Sequence, residues 1–246
     1  IGRATALRLA AEGASIAAGD INEAGLKSLA IELAERDAPC MVIPFNALEE
    51  ASNRALVHRA VAQFGRLDVL CNIAGACRAD HFLDIGLGDW ERMFAINVTS
   101  LVAICQEALP HLCESRGNIV NMSSASALCG AAYWSAYAAS KAALGGLTRM
   151  LAKEMGEFGV TVNAVLPGSI ALTDFNDAIG YPKDITPMPG MVVPLGRRGT
   201  PQDVAPGLLQ VDHLDIRKAL LQALLDVDLR PQEIAADQRQ AVQLGG

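Results

Sequence analysis

Apolar runs of strand length alternate with amphipathic helical stretches along nearly the whole chain, the pattern of repeated βα units. Arg3–Glu12 has helical spacing and is closed by Gly13, Ser15–Gly19 has the length of a strand, Glu23–Arg36 is again helical, and Cys40–Phe45 is again a strand. Glu50–Phe64 is expected as a helix, Leu67–Ile73 as a strand, and Asp89–Cys113 as one long helix with Pro110 near its end. Asn118–Met122 then reads as a strand, Ser135–Glu157 as a helix and Val160–Leu166 as a fifth strand. Strands this apolar, separated by helices, imply a parallel sheet covered on both faces, a doubly wound α/β fold. Ser169–Thr200 holds four prolines and no sustained period, so it reads as an irregular flap, and Thr200 and Pro201 read as the N-cap and first position of a further helix. From Pro206 the chain turns Leu- and Gln-rich and is expected to be helical, with Leu214, Leu221, Leu224, Leu225 and Leu229 forming one apolar stripe. The expected division is therefore an α/β domain over 1–205 and a helical segment over 206–246.

Composition narrows the partners. Hydrophobic residues make up 51% of the chain and aromatics only 4%, so the core must be built from small aliphatic side chains. A net charge of -7 leaves no broad positive field for a phosphate backbone, which argues against nucleic acid. The nearest approach to a membrane span, the charge-free stretch Asn118–Ser140, carries five serines, two asparagines and a glycine and lacks continuous apolarity, so no membrane partner is expected. Cys40, Cys71, Cys77, Cys105, Cys113 and Cys129 form no CxxC pair and read as reduced thiols of a cytoplasmic protein. His58, His81, His111 and His213 lack ligand spacing, and no metal is expected. The chain opens on Ile1 rather than Met, so an N-terminal piece is expected upstream.

Chemistry enters with Tyr137-Ala-Ala-Ser-Lys141, because residues four apart on a helix share a face. Alone the pattern is cheap: a packed aromatic beside a solvated lysine produces it too. Ser124, thirteen residues before Tyr137, falls at the end of a strand, where α/β sheets present catalytic groups. A free phenol has a pKa of about 10, too high for a base at neutral pH, and an adjacent ammonium would stabilise its ionised form.

In this order and spacing the residues resemble the short-chain dehydrogenase/reductase family. The resemblance implies a Rossmann-type doubly wound parallel sheet and a catalytic set of Asn97, Ser124, Tyr137 and Lys141. Tyr137 would be the general acid/base, Ser124 would hold the reacting oxygen, Lys141 would also bond the nicotinamide ribose, and Asn97 would position a water. Ile1-Gly2 resembles the tail of the family's TGxxxGIG loop, with the family's first strand lying upstream of Ile1, and Asp20 stands where an acidic residue bonds the adenosine ribose. The bland alternative for Asp20 is a surface aspartate opening the turn before Asn22. The acidic residue favours NAD over NADP as cofactor.

Asn72-Ile-Ala74-Gly75 resembles the NNAG segment, with Ile73 replacing the second Asn, and Pro167-Gly168 resembles the turn on the nicotinamide side. Ile170 and Thr173 follow as cofactor contacts, although Thr173 lies one position later than the family's PGxxxT threonine. Asn46 stands where the family has an aspartate contacting adenine. Ser126, Leu128, Tyr133 and Trp134 are expected to line the substrate pocket. The function implied is hydride transfer between NAD(H) and a secondary alcohol or ketone, on a small-molecule substrate. A catalytically inactive family fragment or binding protein is the competing reading, motivated by the absent first strand and the altered C-terminal segment. Family members are commonly dimers or tetramers, which leaves a homo-oligomer open.

Overall fold

A computed structural model describes residues 1–129, 132–171, 173 and 193–208, together with the backbone of 220–224. The elements follow the βα alternation closely: α1 (Gly2–Ala11), β1 (Ser15–Asp20), α2 (Glu23–Ala34), β2 (Cys40–Pro44), α3 (Glu50–Phe64) and β3 (Val69–Asn72). Next come α4 (Leu87–Phe94), α5 (Ser100–Ser115), β4 (Asn118–Met122), the single turn α6 (Ser126–Cys129), α7 (Ser135–Met155), β5 (Thr161–Val165) and, after a short helix at Pro201–Val204, β6 (Leu220–Leu224). Local chemistry sets several of these bounds. The Asn22 side chain caps α2 by accepting from Gly25 N–H at 2.9 Å. Gly65 ends α3 in the left-handed region at φ 77°, where a residue with a Cβ is disfavoured. Thr200 and Asp203 close a capping box around Pro201, as the sequence leads one to expect.

Six strands form one parallel sheet in the order β2-β1-β6-β3-β4-β5. Alternate side chains of the strands leave on opposite faces. Ala17, Leu70, Ile119 and Val162 join a core with Leu56, Ile104 and Leu144 of α3, α5 and α7. Ile16, Ala18, Val69, Cys71 and Val120 join a second core with Leu9, Leu26 and Leu29 of α1 and α2. Two cores, one on each face, are the signature of a Rossmann-type doubly wound sheet.

Two expectations need correction. Residues 220–224 are not helical: they form β6, which pairs with β1 on one side and β3 on the other. Leucine and glutamine favour helices, but β1 and β3 each present a row of backbone N–H and C=O groups that need a partner, and tertiary context overrides the weak propensity. Leu214, Leu225 and Leu229 of the expected stripe lie outside the described residues. The long helix is also not uniform, because Ala95–Thr99 form a π turn between α4 and α5. Such a widened turn rotates the residues on either side relative to a continuous α-helix and is frequent at functional sites.

Among the described residues one helix, the 29-residue run Leu87–Ser115, is long and apolar enough to cross a membrane by length and composition. Its Leu101, Ile104, Ala108 and Leu112 belong to the core against the sheet, so it packs as a core helix. The stretch Asn118–Ser140 that the sequence singles out holds β4, α6 and the start of α7.

Candidate active site

The carboxyl ends of β3 and β4, the π turn and the first turns of α7 meet at one edge of the sheet. Tyr137 and Lys141 share a face of α7, both are buried, and the Lys141 ammonium lies 5.9 Å from the centre of the Tyr137 ring. Lys141 Nζ donates to the carbonyl of Met122 at 2.8 Å, which holds the ammonium under the end of β4. Ser123 Oγ in turn donates to the carbonyl of Lys141 at 2.8 Å, so strand end and helix are tied in both directions. Trp134 meets the Tyr137 ring edge-on, with centroids 5.8 Å apart at 86°, an arrangement that fixes the phenol plane.

Asn97, on the π turn, is 1% exposed and makes three side-chain hydrogen bonds. Its Oδ1 accepts from Ala76 N–H at 2.8 Å, and its Nδ2 donates to the Ala76 carbonyl at 2.9 Å and to Ser140 Oγ at 2.9 Å. Ser140 Oγ donates to the Tyr137 carbonyl at 2.7 Å. Asn97 therefore fastens the turn after β3 to α7. Between them lies Gly75: a Cβ there would come 2.9 Å from Lys141 Nζ and 3.1 Å from Asn97 Oδ1.

Ser124 follows β4. Its Oγ accepts from Ser126 N–H at 3.2 Å and from Ser126 Oγ at 2.8 Å. The loop is anchored where Ala125 N–H donates to the Pro167 carbonyl at 2.9 Å, joining it to the Pro167-Gly168 turn. Arg78 pairs with Asp80 and, at 2.9 Å, with Asp89, while Asp80 N–H donates to the Tyr133 carbonyl at 2.8 Å. These contacts hold the loops after β3 and β4 together beside Tyr137. Leu128 and Tyr133 are exposed and Trp134 is half-buried, an apolar surround at this edge.

Thiol chemistry is muted here. Burial pushes the Cys77 thiol well above its ordinary range, and the nearby Lys141 charge only partly offsets this. Burial likewise pushes Cys71 and Cys105 up to about 12.

The residues assigned to cofactor divide into two groups. Asp20 is buried at the carboxyl end of β1, with its Oδ1 accepting from Asn22 N–H at 2.7 Å. Gly2 opens α1 with Ile1 at the N-cap, and the Ile1 side chain makes no cap hydrogen bond to the first-turn amides. Ala74 and Gly75 follow β3. Gly168 is exposed, and a Cβ there would meet nothing within 4 Å. Ile170 forms a parallel bridge with Gly199, and Thr173 is buried. A carboxylate, first-turn helix amides and small residues along neighbouring strand ends fit a dinucleotide lying across them.

Asn46 and Asn72 differ, since their side chains have internal partners. Asn46 Nδ2 donates to Glu49 at 2.7 Å and its Oδ1 accepts from Leu48 N–H at 3.1 Å. Asn72 Nδ2 donates to Asn121 Oδ1 at 2.9 Å and to Cys105 Sγ at 3.4 Å, inside the core. Their side chains bond within the turn and the core respectively. Sequence reasoning missed the roles of Ser123, Ser140 and Asn121, whose bonds cross between elements and leave no periodic trace.

The doubly wound parallel sheet, with Tyr137 and Lys141 on one helix beside a strand-end serine, defines a Rossmann-type fold. The family profile described as enoyl-(acyl carrier protein) reductase matches residues 1–209. The chain is 35% identical over 212 residues to the 3-oxoacyl-[acyl-carrier-protein] reductase FabG of Thermotoga maritima, covering 85% of this chain and 84% of the relative. It is 33% identical over 208 residues to meso-2,3-butanediol dehydrogenase of Serratia marcescens, covering 83% and 80%. Among solved structures, a short-chain dehydrogenase/reductase of unknown function from Caenorhabditis elegans, determined with its cofactor, aligns with a TM-score of 0.76 at 26% identity, covering 91% of this chain and 89% of that one. The chain belongs to the short-chain dehydrogenase/reductase family, whose members are oxidoreductases that use a nicotinamide cofactor.

Proposed function

We propose that the protein transfers hydride between NAD(H) and the carbinol carbon of a secondary alcohol or the matching ketone, with Tyr137 as general acid/base. The observation that carries this reading is the buried ammonium of Lys141 5.9 Å from the Tyr137 ring, at the strand end that bears Ser124. A positive charge held close to a phenol favours the phenol's ionised form. In alcohol oxidation Tyr137 takes the hydroxyl proton while the Ser124 hydroxyl donates to the substrate oxygen, and in reduction Tyr137 returns the proton. A nicotinamide held beside these residues would supply the hydride-transfer chemistry. The α1 amino end would hold the pyrophosphate, Asp20 the adenosine ribose, Lys141 the nicotinamide ribose, and Pro167, Gly168, Ile170 and Thr173 the nicotinamide side.

Incubation with NAD and secondary alcohols deuterated at the carbinol carbon tests this. Deuterium in the recovered NADH is the expected result; a chain that binds NADH yet transfers no label to any of a broad alcohol panel sinks the proposal. The butanediol named for one relative and the apolar rim of Leu128, Tyr133 and Trp134 support a small, partly apolar substrate. Six free cysteines support a reducing, cytoplasmic setting.

Two substitutions follow from the geometry. Asp20→Ser removes a carboxylate that would repel a 2'-phosphate, so the kcat/KM ratio of NADP to NAD is expected to rise by on the order of tenfold, equivalent to about 1.4 kcal/mol. Steady-state kinetics with both cofactors read it. Gly75→Ala forces the ammonium of Lys141 to move. That group ends a flexible stem, so thermal stability should change little, while turnover falls about a hundredfold because the charge is misplaced.

A further inference from the structure

Ser124 does not stand alone. Its Oγ accepts from Ser126 N–H at 3.2 Å and from the Ser126 hydroxyl at 2.8 Å, and Ser126 is buried at the first position of α6. A serine oxygen has two lone pairs and one proton. With both lone pairs occupied, the hydroxyl of Ser124 has only its proton to offer a third partner.

Resting on the function just proposed, we infer that Ser126 is a positioning residue that makes Ser124 an obligate donor to the substrate oxygen. The second bond also polarises the first: a hydroxyl that accepts is a better donor, so the Ser126–Ser124 chain strengthens as negative charge builds on the substrate oxygen. Lacking Ser126 Oγ, Ser124 could spend its proton on another acceptor, and a fraction of the enzyme would carry it in a non-productive direction. The effect belongs to the developing charge, so it should appear in kcat more than in KM.

The test is a double-mutant cycle with whichever labelled alcohol the enzyme turns over, paired with crystal structures of the variants. Ser126→Ala is expected to lower kcat about tenfold with KM within about twofold, and Ser126→Thr, which keeps the hydroxyl, to restore it. On a Ser124→Ala background the same Ser126→Ala change should alter kcat by less than about twofold, because the group it acts through is gone. In the crystal, Ser124 Oγ should leave its position in Ser126→Ala and keep it in Ser126→Thr. A tenfold loss that persists without Ser124, an unaltered kcat in Ser126→Ala, or a Ser124 Oγ unmoved in that variant each overturns the inference. None of these outcomes touches the assignment of Tyr137, which Tyr137→Phe tests separately.

Discussion

Lys141→Met is expected to cut alcohol oxidation at pH 7 about a thousandfold. Methionine fills a similar volume but brings no charge, so Tyr137 reverts towards an ordinary phenol, ionised at pH 7 in only about one molecule in a thousand for a pKa of about 10. The sign follows from the direction of the reaction. Oxidation needs the phenolate, so the variant's rate should climb as pH rises towards 10, whereas the parent enzyme reaches its plateau at lower pH. At fixed pH the equilibrium constant of the reaction ties the two directions together, so kcat/KM for reduction should fall by the same factor. Lys141 also donates to the Met122 carbonyl, so a modest stability loss accompanies the change and is read separately by thermal unfolding. pH profiles of kcat in both directions check the prediction. Loss of activity with no alkaline recovery would assign Lys141 a purely structural or binding role.

Ala223→Pro is expected to abolish cooperative folding. Among the described strands, β6 alone joins the β2-β1 pair to the β3-β4-β5 group. Ala223 pairs with Ala18 on one side and Cys71 on the other. Proline removes one ladder donor, and its ring disrupts a strand with neighbours on both sides, a change found essentially only on edge strands. Each buried backbone group left unpaired costs about 1–3 kcal/mol, and several such groups line β1 and β3, against a total stability of about 5–15 kcal/mol for a typical domain. Denaturant unfolding and NADH binding should both be lost. A variant that unfolds cooperatively at the parent midpoint would show that the two halves of the sheet hold together without β6.

That strand marks the limit of what a reader of the sequence could see. The βα alternation from Ser15 to Val165 was legible because each strand is an apolar run bounded by turn residues and each helix repeats near every fourth position. Tyr137 and Lys141 were legible for the same reason, since their spacing alone puts them on one helical face. Leu220–Leu224 offers no such signal: its composition favours a helix, and only the exposed ladders of β1 and β3 make it a strand. The π turn at Ala95–Thr99 was hidden inside an unbroken helical pattern. Asn46 and Asn72 lie where the family pattern puts them, but the direction of an amide side chain is decided by its partners, here Glu49 in the same turn and Asn121 on the neighbouring strand. Ser126 was readable as a pocket residue but not as a partner of Ser124, because a bond between neighbouring hydroxyls depends on how α6 starts.

Tyr137→Phe tests the central claim with the least disturbance, since phenylalanine keeps the ring against Trp134 and removes only the hydroxyl. Folding and NADH affinity are expected to stay close to the parent values, while turnover falls by about 10²–10⁴ in both directions. A variant that binds NADH and still turns over alcohol at the parent rate would contradict the account.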